Sequence, residues 1–524
     1  MTLSQKLKHW SEQKINTKYM PIIFYILLFC INIIITSIYG VDMDTPYMIK
    51  QAEDILQNGF TRVNKITYYN NFEITVQQWI YCMLLYFFDN NFGSIGLLIF
   101  SGLQQILLFT LIKTKLNNHI KDKFWTYLSA AVICMITPYY YYSVRPENIT
   151  LILLISDCLI LDRYKKTNNI KYLYLLPLIT LIEINMHASM YIFHFCILLA
   201  YLTPSIFPKI IKSDHIKFNK HIVIIILLMI ASLFINPYGV NNITYVFKSL
   251  ETFKYIEITE QTRLEFIHIF GIIVIIIIIN ATIQVVKKLT DSTAFYIITG
   301  FCVLAMTSQH SAMFMPIAIT FMIANYLDLF AKHIKCYTKD IMPNSVLMII
   351  PAGVIIIIAY SVVILPPSIK EFKIRPELEP IVTYIKEQDP DNTSNIICNG
   401  AVGSYLEYND INNILSDTRV EFLNKKINNN INAMHDVLYL DTGILTKESA
   451  ERFTNIEDYL DKYNIEFIIT SPNESQFTYL KAYLNNSDKY KLIFTTDHNQ
   501  LTERKTMHVS NRTVQLYQRK EDIS

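Results

Sequence analysis

The sequence predicts a mainly α-helical polytopic membrane protein with about eleven crossings that ends in a small α/β domain. Three observations carry that expectation. The chain has 524 residues, of which 52% are hydrophobic and only 17% charged, apolar-rich and charge-poor beside soluble proteins. Apolar runs near the length that spans a bilayer follow one another from Met20 to Leu365. From Arg375 the runs shorten to strand and amphipathic-helix lengths, after a boundary at Pro366-Pro367. The expected division is 1–365, a transmembrane region with its first outer loop at 41–78, and 366–524, an extracytoplasmic domain of ordinary size.

Lys6, Lys8, Lys14 and Lys18 precede the first apolar run, Met20 to Tyr39. No small-residue cleavage site follows it, so it reads as a retained helix rather than a signal peptide. Lys and Arg accumulate on the cytoplasmic side of short loops, which puts the amino terminus inside and Asp42 and Asp44 outside. From Pro46 to Asn58, apolar residues at helical spacing alternate with Lys50, Glu53 and Asp54. That pattern predicts an amphipathic helix on the outer surface, closed by Gly59.

Two apolar segments between Val76 and Ile112 flank Asp89 to Gly93. If both crossed, Lys113, Lys115, Lys121 and Lys123 would lie outside and every later basic cluster would be inverted. One net crossing is therefore expected, with Gln77 to Phe88 as a partial helix. Further spans follow at 124–142 and 148–161, then a hairpin of two short helices at 172–201 with Asn185-Met186-His187 at its outer tip. Later spans fall at 221–235, which stops at the turn Asn236-Pro237-Tyr238-Gly239, and at 266–286, 292–306, 313–330 and 345–365. In the last part, 396–398, 465–470 and 491–495 read as strands and 379–387, 449–463 and 474–484 as helices.

Eight cysteines stand singly, without zinc-ligand spacing, and 366–524 contains only Cys398, so no disulfide forms within that domain. A net charge of +2 is too close to neutral to imply a nucleic-acid partner or an unusually charged surface.

With this topology the unusual polar groups at the membrane edge fall on the outer side. They are Asp42, Asp44, Arg145, Glu147, Glu183, Asn185, His187, Asn236, Glu257, Glu260 and His310. Arg145, Glu183 and His187 weigh most, because each lies beside or inside an apolar run. Asp44-Thr45-Pro46 also reads as a helix cap followed by a first-turn proline, which leaves both a capping and a chemical role open. The planar fork of Arg145 suits a lipid phosphate, and it also suits an interfacial anchor. His187 and His310 read equally as hydrogen-bonded interfacial residues, and Asp417-Thr418-Arg419 as an ion pair or a binding element.

Asp42-x-Asp44-Thr45-x-Tyr47, Gly59, Gln78-Trp79-Ile80, Arg145-Pro146-Glu147, Asn185-x-His187, Asn236-Pro237-Tyr238-Gly239 and Asp417-x-Arg419 occur in an order that resembles a family of prokaryotic membrane proteins. Those proteins are similar to the glycosyltransferase C superfamily, which includes protein mannosyltransferases and lipid A aminoarabinose transferases. The resemblance covers nearly the whole chain. It implies an acidic catalytic or metal-binding residue in the first outer loop, here Asp44 first and Asp42 second, and a polyprenyl or dolichyl phosphate sugar as donor. The chain departs from that pattern at Met48, Gln77-Gln78 and His310, where the relatives carry His, His-Glu and Arg.

The expected function is transfer of a sugar from a lipid-phosphate donor to a glycan, lipid or protein acceptor at the outer face, with Asp44 as general base. Arg145, with His187 or His310, neutralises the leaving phosphate, while Glu147, Asn185, Gln78 and Trp79 complete the substrate site. No cofactor is required; a divalent metal, magnesium or manganese, is possible on Asp42, Asp44 or Glu147. The competing readings are a transporter or flippase of lipid-linked saccharides and a non-catalytic scaffold whose outer domain binds partners. The absence of an inverted repeat speaks against the transporter, and the departures just named favour the scaffold.

Overall fold

The computed structural model describes residues 20–64, 66–118, 123–140, 144–206, 216, 218–252, 269–286, 292–307, 310–324, 373–424, 426, 430–440, 456–471, 477–496 and 513–520. The lysines at 6–18, the span expected at 345–365, the boundary at 366–367 and the loop at 257–260 lie outside them.

Helix α1 (Met20–Tyr39) is followed by α2 (Thr45–Asn58), a two-residue hairpin of β1 (Val63–Asn64) and β2 (Phe72–Glu73), α3 (Trp79–Phe92) and α4 (Ser94–Asn117). The bundle continues through α5 (Lys123–Tyr140), α6 (Glu147–Thr167), α7 (Leu175–Met186), α8 (Ile192–Ile206), α9 (Lys220–Ser232), α10 (Val240–Thr252), α11 (Ile269–Val286) and α12 (Ser292–Thr307) to an apolar helix at Ser311–Ala324. Its core is one continuous apolar cluster that includes Phe109, Leu154, Tyr201, Ile225 and Phe314. Polar residues knit helices locally, as where Ser101 Oγ donates to Asn32 Oδ1 at 2.7 Å between α4 and α1.

The outward faces of these helices are apolar. Ile22, Ile26, Leu103, Leu107, Leu199, Leu227, Ile276 and Ile279 are all exposed, whereas 373–524 exposes only Ile431 and Leu492 among its described large apolar residues. A surface of that kind is solvated by lipid rather than water. By length and composition, two described helices, Ser94–Asn117 and Ala188–Ile206, suffice to cross a membrane, and shorter apolar helices surround them. The described residues thus give a membrane bundle without reaching the expected count of crossings. Helix α6 fails the apolar test for a physical reason: Asp157, Asp162 and Arg163 interrupt it.

The segment expected to cross once holds two helices joined at Gly93, whose φ of +61° favours glycine. Helix α3 has 14 residues, about 21 Å, short of the hydrocarbon thickness of about 30 Å. Its far end stays beside the carboxy-terminal part, where Tyr408 donates to Asp89 Oδ2 at 2.8 Å.

That part holds α13 (Glu379–Gln388), β3 (Asn395–Ile397), α14 (Gly400–Tyr408), α15 (Ile431–Leu440), α16 (Ile456–Lys462), β4 (Ile465–Thr470), α17 (Thr478–Asn486), β5 (Tyr490–Thr496) and β6 (Val514–Arg519). The strands form a mixed sheet in the order β3-β4-β6-β5, with β3 and β4 parallel and the other pairs antiparallel. The three strands read from the sequence are present; β6, α14 and α15 are additions. Strand β6 escapes a sequence reading because Gln515, Gln518 and Arg519 break its apolar pattern, and pairing on both sides supplies what that pattern lacks.

The loop between α1 and α3 is sewn into this domain. Ile414 N donates to Ile66 O at 3.0 Å and Leu415 N to Ile396 O at 2.8 Å, so the loop reaches β3 through one shared segment. A single apolar cluster runs from Tyr47, Met48 and Phe72 through Tyr81 and Leu85 to Phe422, Phe467 and Leu516. Helix α2 is therefore not a surface helix as expected. It is packed between α3 and α14, and even Lys50 and Gln51 are buried. Lys50 pairs with Glu53 and with Asp410, both of which remain partly open to solvent.

Candidate functional site

Asp42 and Asp44 follow α1 directly, but they do different work. Asp42 Oδ1 accepts from Asp44 N at 3.0 Å, and its Oδ2 accepts from Arg145 Nε at 2.7 Å, with a second guanidinium nitrogen at 2.5 Å. Both groups are buried, so this is a desolvated, two-point ion pair. Asp44 occupies the N-cap position of α2 yet makes no side-chain capping bond, because its φ and ψ of −82° and −20° are helical. A capping side chain requires an extended backbone at that residue. The Asp44 carboxylate faces a cavity instead.

That cavity, about 120 Å³, lies where the loop between α1 and α3, α6, α7, α10 and the carboxy-terminal domain meet. The loop and α2 contribute Asp44, Tyr47, Gln51, Thr75, Gln77 and Gln78; the ends of α6 and α7 contribute Arg145, Glu147 and His187, and the middle of α10 contributes Tyr245; the carboxy-terminal domain contributes Thr418, Arg419 and Glu421. Pro146 at the start of α6 presents Glu147 in the first turn, where the helix dipole favours an acid. Glu147 Oε1 is 4.0 Å from His187 Nε2. His187 sits where α7 ends, and its Nδ1 is 3.0 Å from Thr150 Oγ1.

The outer wall is strongly charged. Arg419 Nη2 donates to both oxygens of Glu407 at 2.9 Å, Nε donates to Asp417 Oδ2 at 2.5 Å, and the guanidinium stands 5.3 Å from the Tyr47 ring. Its Nη1 is buried without a hydrogen-bond partner. Burial opposes the charge on Arg419, but Asp417 and Glu407 outweigh it and hold the guanidinium charged. Burial pushes the Glu407 carboxyl well above the ordinary range. Glu421 is raised too, by burial against the opposing pull of Arg419, while accepting from Tyr245 Oη at 3.1 Å and Thr75 N at 3.3 Å. Burial raises Tyr47 and Tyr245, with Asp44 and Glu421 respectively adding to it. Both phenols are therefore protonated donors at neutral pH.

Of the residues singled out in the sequence, Asp44, Arg145, Glu147, His187 and Gln78 line the cavity. Asp42 stands behind Arg145. Trp79 and Asn185 are not among the lining residues: Trp79 Nε1 donates to Asn185 Oδ1 at 2.8 Å, and Asn185 Nδ2 donates to Leu181 O and Ile235 O, so this pair ties α3 to α7 and α9. The side chain of His310 lies outside the described residues. Of the residues on which a divalent metal is possible, Asp42 has both carboxylate oxygens in hydrogen bonds, to Asp44 N and to Arg145. Among the described residues no group of three or more His, Cys, Asp or Glu is placed to hold an ion.

No family model matches the sequence, and no curated protein matches it. Solved structures do. An oligosaccharyltransferase from Archaeoglobus fulgidus in the apo form superposes with a TM-score of 0.59 at 10% identity, over 87% of this chain and 70% of that one. This chain is similar in fold to that archaeal oligosaccharyltransferase. The same archaeal enzyme tethered to an acceptor peptide that contains an NVT sequon gives 0.56 at 11% identity, over 87% and 69% of the two chains. AglB from the same organism, in complex with an inhibitory peptide and a dolichol-phosphate, gives 0.57 at 10% identity, over 85% and 69%. The likeness to AglB is one of fold and agrees with the resemblance read from the ordered motifs.

Sequence reasoning left out Tyr47, Gln51, Thr75, Tyr245 and Glu421 as cavity residues. Glu421 lies two residues beyond the noted Asp417-x-Arg419, so that motif was the available signal. Asp157 and His194, buried deep in α6 and α8, were also missed. Single polar residues in apolar helices were the signal there: Asp157 lies seven residues, two helical turns, after Thr150 and so on the same face.

Proposed function

We propose that this protein is a membrane glycosyltransferase that moves a sugar from a lipid-phosphate donor to an acceptor at the outer face. The observation that carries the reading is the cavity itself. On a fold shared with an oligosaccharyltransferase, a carboxylate that does not cap its own helix, Asp44, faces the same space as Arg145, His187 and Arg419. In this reading the acceptor heteroatom attacks the anomeric carbon while Asp44 takes its proton. The bond from that carbon to the phosphate oxygen breaks, and its electron pair leaves with the lipid phosphate. A single displacement of this kind inverts the anomeric centre.

Arg145 and His187 line the inner part of the cavity, nearest the helix bundle; Arg145 meets the phosphate as an N–H donor, and His187 does so once its Nε2 has taken a proton. Asp42 neutralises and orients Arg145, whose contribution is directed hydrogen bonding more than net charge. Thr418, Arg419 and Glu421 form the outer wall and meet the acceptor. Solved structures of the similar archaeal enzyme hold an acceptor peptide and a dolichol-phosphate, which supports, for this chain, a dolichyl or polyprenyl phosphate donor and a peptide acceptor. The orientation with the amino terminus inside and residues 366–524 outside belongs to this proposal.

Mass spectrometry of lipid and glycan that co-purify with the protein tests the donor. Asp44→Asn should lower transfer by about 10²- to 10⁴-fold while the donor still co-purifies. If that variant leaves surface glycans and glycoproteins unchanged although deletion of the protein alters them, Asp44 is not the base. A bound lipid-linked sugar with no transfer product under any condition would favour translocation instead.

A further inference from the structure

The polar region does not end at His187. Behind it, Thr150 Oγ1 donates to Glu183 Oε1 at 2.6 Å while lying 3.0 Å from His187 Nδ1. The second oxygen of Glu183 stands 3.3 Å from His194 Nε2, and His194 Nδ1 is 2.5 Å from Asp157 Oδ2. These five side chains make one file across α6, α7 and α8. None is more than 5% exposed, and Asp157 lies about 15 Å along the helix axis from Glu147.

Two features of the file go beyond a static cross-link. Thr150 has one hydroxyl proton and gives it to Glu183, so toward His187 it acts as acceptor and Nδ1 of His187 carries the hydrogen. That fixes the tautomer and leaves Nε2, the nitrogen beside Glu147 on the cavity wall, as the basic one. The second feature is stoichiometry. Holding one imidazole between helices needs one carboxylate, yet His194 has two. With the imidazole protonated and both acids ionised the triad is one charge negative, and one further proton makes it neutral, the state an apolar interior favours. Lys115 and Asp162, further along α4 and α6, pair with each other and do not supply that charge. On the cavity side the file faces Glu147, Arg145, Asp44, Arg419 and Glu421.

We propose that Thr150 and Glu183 form a buried proton relay that connects the cavity, through His187, to the interior of the helix bundle, where the His194–Asp157 pair stands beside Glu183. A proton arriving from the cavity binds Nε2 of His187. The Nδ1 proton passes to Thr150 Oγ1 as the Thr150 hydroxyl proton passes to Glu183 Oε1. One proton has then moved from the cavity to Glu183, no charge is created or lost, and rotation of the Thr150 hydroxyl with return of the proton resets the file. Thr150 and Glu183 are positioning residues in this scheme, since they touch the cavity only through His187. The relay does not depend on the transferase reading; a cavity that bound a ligand without turning it over would still exchange protons through it.

Infrared difference spectroscopy of the full chain in lipid nanodiscs, recorded between mildly acidic and mildly alkaline pH, tests the relay without a substrate. The wild type should show a protonated-carboxyl stretching band that titrates. Glu183→Gln should lose it, Thr150→Val should shift its frequency and its pH midpoint, and Thr150→Ser should restore both. The Val and Ser variants differ by a single hydroxyl, so they remain a fair comparison should Glu183→Gln fold poorly. A wild type with no such band at any pH, or a Thr150→Val spectrum identical to wild type, overturns the proposal and leaves the file as a fixed ion pair.

Discussion

Asp42 and Asp44 are two residues apart and chemically identical, yet the backbone gives them separate fates. Asp42 is committed to Arg145 inside protein, and breaking a buried pair by removing one charge strands the other. Asp42→Asn should therefore destabilise the fold by about 3–5 kcal/mol, and the double replacement Asp42→Leu with Arg145→Met should recover much of it. Thermal unfolding of the two proteins in the same detergent checks the pair; equal losses in both would show that the ion pair is not the source. Glu421 makes a pH prediction. Its folded-state carboxyl is raised, by burial first, so between the ordinary carboxylate range and its raised value the folded chain binds more protons than the unfolded one. Stability then falls as pH rises through that window. Glu421→Gln should flatten this part of the stability profile, and an unchanged slope would assign it to other groups.

At the scale of elements, the helix α14 shows how the outer wall is placed. Gly403 packs so closely on the segment before Arg419 that an added Cβ would lie 1.9 Å from Ser416 O. Backbone cannot yield there as a flexible side chain would, so Gly403→Ala should cost about 1–3 kcal/mol or more and displace Arg419 from the Tyr47 ring. Gly300, inside α12, meets nothing among the described residues within 4 Å of its added Cβ, and Gly300→Ala should be neutral or stabilising by about 0.5–1 kcal/mol. Thermal unfolding of the pair separates close packing from helix propensity: a Gly403→Ala protein as stable as Gly300→Ala would contradict the packing argument. Helix α2 teaches a related lesson. Its amphipathic pattern was legible in the sequence, but a pattern says which face is apolar and not what covers it.

For the whole molecule, the carboxy-terminal domain is a second half of the site and the cover of the first. Tyr47, Met48, Ile49, Phe72 and Leu85 share one core with Phe422, Phe467 and Leu516. The Tyr69 hydroxyl donates to Asp436 Oδ2 at 2.7 Å within the same contact. A chain truncated after residue 372 should expose that surface and lose the monodisperse profile of the full protein in size-exclusion chromatography. A truncated chain that stays monodisperse and fully helical would mean that the two parts fold independently.

The sequence by itself determined the lipid-solvated character of the bundle, the change to an α/β pattern after Arg375, and the small set of polar groups from which the cavity is drawn. Each is a local property, read from hydropathy, helical period or a residue out of keeping with its neighbours. Asp44, Arg145, Glu147 and His187 were visible in this way because a charged group beside an apolar run is costly wherever it folds, whereas Gln78 was legible only through the ordered motifs of the family resemblance. Only the tertiary structure decided that Asp42 turns to Arg145 while Asp44 faces the cavity, and that Asn185 serves Trp79. It also brought Tyr47, Tyr245 and Glu421 together across separations of up to 374 residues and joined Asp157 and His194 into the file behind His187. These are pairings between distant segments, and the chain sets them by packing one core against another, a choice that no single window of sequence contains.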